Sequence, residues 1–235
     1  MNEHMFDFID YEETKHWWFV ARTNLFKSII ESYNDDIENI LDIGCGTGYF
    51  LSKIAPIAKN CYGVDPHTYK ELKFDNIVNG TAENIPFDNN TFDVVTCFDV
   101  LEHVQNPQVA MEGILRVLKP GGFAVISVPA NQWMYGPHDK ENGHVRRFSK
   151  KEFESIVNPR FEIMKSTYFN TILYPVEVII RLMEKMLNIR LTKDEAPNPK
   201  LNNILFKIFN SEKKWLLNHS FPFGISYLVV LRKRR

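Results

Sequence analysis

Leu41-Asp42-Ile43-Gly44-Cys45-Gly46-Thr47-Gly48 reads as an apolar strand running into three alternating glycines. Such a turn lets backbone approach a ligand closely and aims the N-terminus of the following helix at it. Outward from it, short apolar runs at residues 39–43, 61–65, 77–79, 92–97 and 123–128 are rich in Val, Ile, Leu, Phe or Cys and too short for buried helices. Helical stretches fit between them. Residues 49–55 follow the glycines, and residues 107–118 place Val109, Ile114, Leu115, Val117 and Leu118 on one face until Lys119-Pro120-Gly121-Gly122 stops the helix. The alternation predicts repeated βα units and a parallel sheet.

After Val128 the pattern changes. Residues 129–148 are long, aromatic and polar, the composition of a functional loop. Ser149 with Glu152 forms a capping-box pattern for a helix to about Val157, ended by Asn158-Pro159. Residues 161–169 and 226–232 are strand-like and able to pair antiparallel at a sheet edge. Between them, residues 172–190 carry Glu177, Arg181, Glu184 and Lys185 at helical spacing, so one face is polar and the other, greasy, is expected to pack on the sheet. A polar hinge at 194–199 and an amphipathic helix at 201–217 follow.

With 235 residues, 44% hydrophobic and 24% charged, the chain suits one compact domain with an insertion and excludes disorder as its main state. Its 18 Phe, 9 Tyr and 4 Trp are enough to build a core and still line a pocket with rings. Cys45, Cys61 and Cys97 are odd in number and lie in apolar segments, so buried thiols of a reducing compartment are expected rather than disulfides. The first eleven residues lack a basic stretch leading into an apolar core, and no apolar run nears the roughly 18 residues of a membrane span. A cytoplasmic address is the expectation.

A net charge of −1 argues against a dedicated nucleic-acid binder. From Arg190 onward there are ten Lys/Arg against three Asp/Glu, which leaves 18 basic and 26 acidic residues before it. The tail, closing with Arg232, Lys233, Arg234 and Arg235, reads as a solvated segment or, alternatively, a docking patch for anionic lipid.

Two ligand classes use a glycine turn of this kind. The dinucleotide fingerprint needs glycines at its first, third and sixth positions, and the sixth from Gly44 is the bulky Tyr49. Asp42 would repel a pyrophosphate, whereas it would attract a ligand with an ammonium and a sulfonium, such as S-adenosylmethionine. Asp42 through Gly48 resembles motif I of the class I S-adenosylmethionine-dependent methyltransferases. The resemblance extends from about Ile40 to Val128, through Tyr62-Gly63-Val64-Asp65, Ala82-Glu83-Asn84-Ile85-Pro86-Phe87, Phe92-Asp93-Val94-Val95 and Arg116-Val117-Leu118-Lys119-Pro120-Gly121-Gly122. It implies an α/β, Rossmann-like, seven-stranded, mostly parallel sheet with helices on both faces and an antiparallel last strand. Residues 1–35 would form an N-terminal aromatic helical cap, 36–170 with 218–235 the cofactor-binding domain, and 171–217 a helical insertion.

By that resemblance Gly44, Cys45, Gly46 and Gly48 pass under the methionine moiety and adenosine, and Asp42 helps hold the amino end. Asp65, followed by Pro66, takes the ribose hydroxyls, since a carboxylate at a strand tip can accept two hydrogen bonds from a vicinal diol. Thr81, Ala82, Glu83, Phe98, Asp99 and His103 complete the cofactor pocket. Relatives commonly carry an acid before that alanine, where this chain has Thr81, so the adenine contact passes to Thr81, Glu83 or a backbone carbonyl, with Ile85 or His67 flanking the ring. The plain alternative for Asp42 and Asp65 is a cap or turn residue. Asp99, Glu102 and His103 stand at the spacing of two acids and a His that hold a divalent cation in some similar ubiquinone-pathway O-methyltransferases. With Asp99 in place of a Glu, the run is read as pocket floor or helix cap, and no metal is expected.

His138, Asp139, His144, Arg146 and Arg147 crowd three titratable and two guanidinium groups into the long loop. His138 or His144 would serve as base beside Asp139, with Arg146 or Arg147 gripping a phosphate or carboxylate. Singly, each has an ordinary reading as turn cap, core filler or surface ion pair. Trp17, Trp18 and Arg22, with Trp133 and Tyr135, resemble the acceptor-side residues of a bacterial methyltransferase subgroup of undefined acceptor, and packing of a covering helix is the alternative for the two Trp. The expected activity is methyl transfer to a small-molecule or lipid-linked acceptor, at oxygen in preference to nitrogen or carbon, with peripheral membrane contact through 172–190 and the basic C-terminus as a further reading. A non-catalytic cofactor-binding sensor or scaffold, and an NAD(P)-dependent oxidoreductase, are the rival classes.

Overall fold

The computed structural model describes residues 13–33, 36–67, 72, 74–187, 189, 191 and 197–235. Seven strands form one sheet: β1 Ile37–Ile43, β2 Ala58–Asp65, β3 Ile77–Asn79, β4 Phe92–Phe98, β5 Leu118–Pro129, β6 Phe161–Phe169 and β7 Ser226–Lys233. Their order is β3-β2-β1-β4-β5-β7-β6. The first five are parallel, and β7 pairs antiparallel with both β5 and β6. Because β2 and β4 flank β1 on opposite sides, the chain reverses direction across the sheet at the end of β1, where open α/β sheets form their ligand crevice.

Successive side chains of a strand point to opposite faces, and here both faces are covered. One core gathers Leu41, Ile43, Val95, Cys97, Ile126 and Val229 under α3 (Pro107–Val117) and Phe153 of α5 (Lys150–Ser155). The other gathers Ile40, Val94, Val125, Leu228 and Val230 under α1 (Trp17–Tyr33), α2 (Tyr49–Ile54) and α7 (Pro199–Asn218). A short α4 (Pro137–Glu141) lies in the loop after β5, and α6 (Tyr174–Leu187) with α7 lies between β6 and β7. All three cysteines are buried free thiols, as their apolar settings imply.

The helices depart from expectation in three instructive ways. Pro107 sets the phase of α3 so that Pro107, Ala110, Met111, Ile114 and Leu115 make the buried stripe, and Val109 is exposed. The helix ends at Val117, and Lys119-Pro120-Gly121-Gly122 enter β5 through a register shift opposite Phe92 and Val94. Most consequentially, α6 is inside out. Arg181 and Glu184 are buried, with Arg181 Nε donating to Glu177 at 2.7 Å and Nη1 to Glu184 at 3.0 Å, while Val176, Ile179, Leu182, Met183, Met186 and Leu187 are exposed. Glu184 also accepts the Leu191 amide at 2.9 Å, so the charged face closes the turn after the helix and the greasy face does not pack on the sheet.

The capping box is formed as expected: Ser149 Oγ accepts the Glu152 amide at 3.2 Å and Glu152 accepts the Ser149 amide at 2.8 Å. Residues 194–196 of the 194–199 hinge lie outside the described residues, as do the first twelve residues of the N-terminal cap. The basic tail is not a free segment. Arg232 and Lys233 belong to β7, and the buried Lys233 donates to the Leu118 carbonyl and to Asn90, both at 2.7 Å. Arg232 pairs with Phe123 of β5 and with Glu162 near the start of β6, so the tail sits at the sheet edge opposite the ends of the parallel strands.

An aromatic stack joins α1 and α7 to β6. Trp18 stacks on Phe169 and Phe209 with centroids 6.1 and 5.2 Å away, and Phe209 is fully buried. Phe209→Ala is expected to cost about 3–5 kcal/mol in urea unfolding; a loss under about 1 kcal/mol would show that α7 is peripheral to stability.

Candidate functional site

The loops after β1, β2, β4 and β5 converge at one edge of the sheet. Gly44, Gly46 and Gly48 have φ of +73°, +56° and +86°, the left-handed region that favours glycine. A methyl group on Gly44 would strike Val100, and one on Gly48 would strike Phe74 and Ile77. Gly44 and Cys45 amides donate to the Val64 carbonyl at 2.7 and 3.3 Å, which folds the bend onto β2. Cys45 is buried beneath it, and burial pushes its thiol up.

Asp65, buried at the tip of β2, aims into the bend: its Oδ2 accepts the Gly46 amide at 2.9 Å and its Oδ1 the His67 amide at 2.9 Å. Pro66 follows on the surface and His67 Nδ1 lies 3.2 Å from Asp65. Asp42 accepts the Thr96 hydroxyl at 2.6 Å. Burial pushes its carboxyl up to about 7, with the Thr96 bond and Arg22 pulling down and Asp65 and Glu13 pushing further up. Glu13 reaches the same bend, accepting the Thr47 hydroxyl at 3.1 Å. Three carboxylates thus face one glycine turn, a field that suits a cationic ligand and repels a pyrophosphate.

The remaining expected pocket residues divide. Thr81 closes its own turn with Asn84, Ala82 is core, and Glu83 is turned to the Asn106 amide at 3.1 Å, ahead of α3. Phe98 stacks on Phe26 at 4.0 Å. Asp99, at φ +55°, accepts the Ser127 hydroxyl at 3.2 Å and pairs with Arg22 of α1. Arg22, expected to face an acceptor, is therefore joined to Asp99, expected to face the cofactor. Trp17 and Trp18 pack against α7, the covering-helix alternative: the Trp17 amide donates to Asn202 at 2.9 Å and its ring meets Phe209.

The loop after β5 is wired internally. Asp139 is fully buried and accepts Arg147 Nε at 2.8 Å, His144 Nδ1 at 2.9 Å and the Gly136 amide at 3.0 Å. Burial opposes its charge, yet His144 and the Arg147 guanidinium hold the carboxyl well below the usual carboxylate range. Arg147 is buried and also donates to the Ala130 carbonyl at 3.3 Å, which gives it a bracing place rather than an open grip. Arg146 donates to the Gln105 carbonyl at 3.1 Å, and its Nε is buried without a hydrogen-bond partner. Tyr135 donates its hydroxyl to the His144 carbonyl at 2.9 Å, whereas Trp133 is exposed and gives its carbonyl to Lys185 of α6. His138 Nε2 sits 3.1 Å from Asn142 and does not join the pair.

Beside that pair lies Glu102, which the sequence groups with Asp99 and His103 and the structure sets next to His144. The Val145 amide donates to its carbonyl at 2.9 Å, and His144 Nε2 lies 4.0 Å from its carboxylate. The spacing of Glu102 to Asp99 and His103 is a local signal, but nothing in the chain marks His144, more than forty residues on, as its neighbour.

The methyltransferase domain family matches residues 15–160. A ubiquinone biosynthesis O-methyltransferase of Rickettsia bellii is 25% identical over 230 residues, covering 90% of this chain and 83% of its own. A SAM dependent methyltransferase from Archaeoglobus fulgidus superposes with a TM-score of 0.59 at 19% identity, covering 96% of this chain and 99% of that one. The N-methyltransferase NodS of Bradyrhizobium japonicum, solved with S-adenosyl-L-homocysteine, gives 0.56 at 13% identity over 96% and 92%. A family match over more than half of the chain, on a fold those structures share, makes it a member of the class I S-adenosylmethionine-dependent methyltransferases.

Proposed function

We propose that the chain methylates a hydroxyl of a small or lipid-linked acceptor. The observation that carries oxygen as the target is the Asp139–His144 pair. A carboxylate only accepts, so the 2.9 Å contact fixes the His144 proton on Nδ1 and, in the neutral ring, leaves the Nε2 lone pair to take a proton. The acceptor oxygen would attack the methyl carbon in line with sulfur. The carbon–sulfur pair returns to sulfur, giving S-adenosylhomocysteine, and the hydroxyl proton passes to His144 Nε2. In this reading Asp65 holds the ribose and the carboxylates of Asp42 and Asp65 favour the cationic donor over its neutral product. The relative from Rickettsia bellii, named for O-methylation in ubiquinone biosynthesis, supports the same class of acceptor. The rival readings, a non-catalytic scaffold and an NAD(P)-dependent oxidoreductase, gain nothing from the family match.

A lipid-linked or quinone-like acceptor is supported by α6, whose exposed Val176, Ile179, Met183 and Met186 follow one another at helical spacing. The helix begins at the sheet edge that carries the site, just after Phe169, and Lys185 ties it to Trp133. The basic tail lies at the other edge, so the membrane contact proposed here is the helix alone. Among the described residues no helix is long and apolar enough to cross a membrane.

His144→Ala is expected to lower kcat with a panel of phenols and alcohols by about 10²–10⁴-fold while calorimetric binding of S-adenosylhomocysteine stays within about twofold; unchanged turnover removes His144 as the base. Asp65→Ala should weaken that binding on the order of tenfold or more. Because a cationic donor prefers ionised Asp42, its affinity should rise by up to about tenfold per pH unit as pH climbs towards 7 and then level off. For folding the sign is opposite: the raised Asp42 contributes stability that is full below about pH 4 and is lost as pH rises through 7. Asp42→Asn should flatten both profiles. Ile179→Lys with Met186→Lys should abolish co-sedimentation with phosphatidylcholine–phosphatidylglycerol vesicles, and Arg234→Glu with Arg235→Glu should leave it intact; the reverse pattern would return the contact to the tail.

A further inference from the structure

Glu102 is the side chain that neither fold nor proposed chemistry explains. Its carboxylate is fully buried and neither oxygen has a hydrogen-bond partner. A carboxylate held away from water and donors is costly unless it keeps a proton or meets a cation.

Two imidazoles flank it. One ligand atom from each of Glu102, His103 and His144 lies within 4.8 Å of the others, and the two rings meet edge to face at 4.8 Å. In both rings the other nitrogen is committed. His144 Nδ1 donates to Asp139 at 2.9 Å, and His103 Nδ1 lies 3.3 Å from the Gly143 carbonyl. Carbonyl and carboxylate oxygens only accept, so in the neutral rings both lone pairs sit on Nε2. Histidines that ligate metals are held in this way, with the second nitrogen donating to a carboxylate or backbone carbonyl. Asp139 is itself pinned by Arg147 and Gly136, and the Val145 amide bonded to the Glu102 carbonyl joins the two loops.

We propose that Glu102, His103 and His144 form a three-ligand site for a first-row divalent cation of the Zn²⁺ type, with a fourth position left for water or the acceptor oxygen. Two imidazole nitrogens and one carboxylate suit such an ion, whereas Mg²⁺ prefers oxygen ligands throughout. Ligand atoms around one Zn²⁺ lie about 3.4 Å apart, so the side chains close by up to about 1.4 Å on binding. His103 is exposed and gives the ion its entry. The set differs from the Asp99, Glu102 and His103 run read from the sequence, because Asp99 is held by Arg22 and Ser127 and its place is taken by His144.

The inference deepens the O-methylation reading and rests on it for its purpose. Bound there, the ion would take the His144 Nε2 lone pair as a ligand and would supply Lewis-acid chemistry to the acceptor hydroxyl, in place of the proton acceptance assigned to His144 above. Calorimetry on chelator-treated full-length protein tests the site without reference to turnover. One Zn²⁺ per chain is expected at micromolar affinity or tighter, with Mg²⁺ at least about 100-fold weaker. His103→Ala, Glu102→Gln and His144→Ala should each weaken Zn²⁺ at least about tenfold. His219→Ala, at the end of α7 and stacked on Trp215, should not. Exposed His103 keeps the test readable if the buried variants fail to fold. Absence of Zn²⁺ binding, or equal binding in a folded His103→Ala protein, overturns the site. Zn²⁺ bound at this site without methyl transfer to any hydroxyl acceptor would sink the O-methylation reading alone, and chelator-insensitive transfer without Zn²⁺ binding would sink the ion alone.

Discussion

The hydrogen bond from the Gly46 amide to Asp65 is the tie on which the site depends. It joins the bend after β1 to the tip of β2 across the point where the sheet changes direction. A turn this tight, with three glycines in left-handed conformation, leaves amides pointing outward that must find acceptors. Asp65 supplies one and the Val64 carbonyl takes two more, so the bend is set before any ligand arrives. Its shape then dictates charge. Asp42 is forced under the bend by the β1–β4 register, opposite Thr96, and cannot escape burial. Burial therefore leaves a carboxyl poised near neutrality, and a cation is the ligand best able to ionise it.

The N-terminal segment belongs to this arrangement rather than merely covering it. Arg22 crosses to Asp99 after β4, and Glu13 meets Thr47 on the bend itself. The aromatic residues around them pack: Trp18 on Phe169 and Phe209, Phe26 on Phe98. Rings anchor the helix while two charged side chains reach the edge. That division explains why a stretch rich in Trp reads from sequence as a pocket wall when its contribution to the site is made by the polar residues interleaved with it.

Legibility follows from whether a signal is local. Buried parallel strands must be apolar on both faces, so Val94, Val95, Val125 and Ile126 declare β4 and β5 without help from the rest of the chain. The glycine bend is equally local. By contrast, the amphipathicity of α6 marks two faces but not which one turns inward; Arg181, buried against Glu177 and Glu184, decided that through an ion-pair network that periodicity does not encode. The meeting of Glu102 with His144 depends on a single backbone bond between distant loops, and the commitment of Arg147 to Asp139 inverts the ordinary expectation that a loop arginine faces solvent.

Those same contacts argue that the loop after β5 is a clamp and not a lid. Its ends are bridged, with the Phe148 amide donating to the Pro129 carbonyl at 2.9 Å and the Asn131 amide to the Phe148 carbonyl at 3.0 Å. Inside it, Arg147 draws Asp139, Ala130 and Gln132 together, and Tyr135 holds the backbone of His144. A group fixed at this many points loses little freedom when a reactant arrives, which is the condition for orientation to contribute strongly to rate. Exposed Trp133 and the outward apolar stripe of α6, joined to each other through Lys185, are not so held. On the reading proposed above, a rigid proton-handling loop beside this apolar surface would let one chemistry serve acceptors that differ in their apolar portions but present the same hydroxyl.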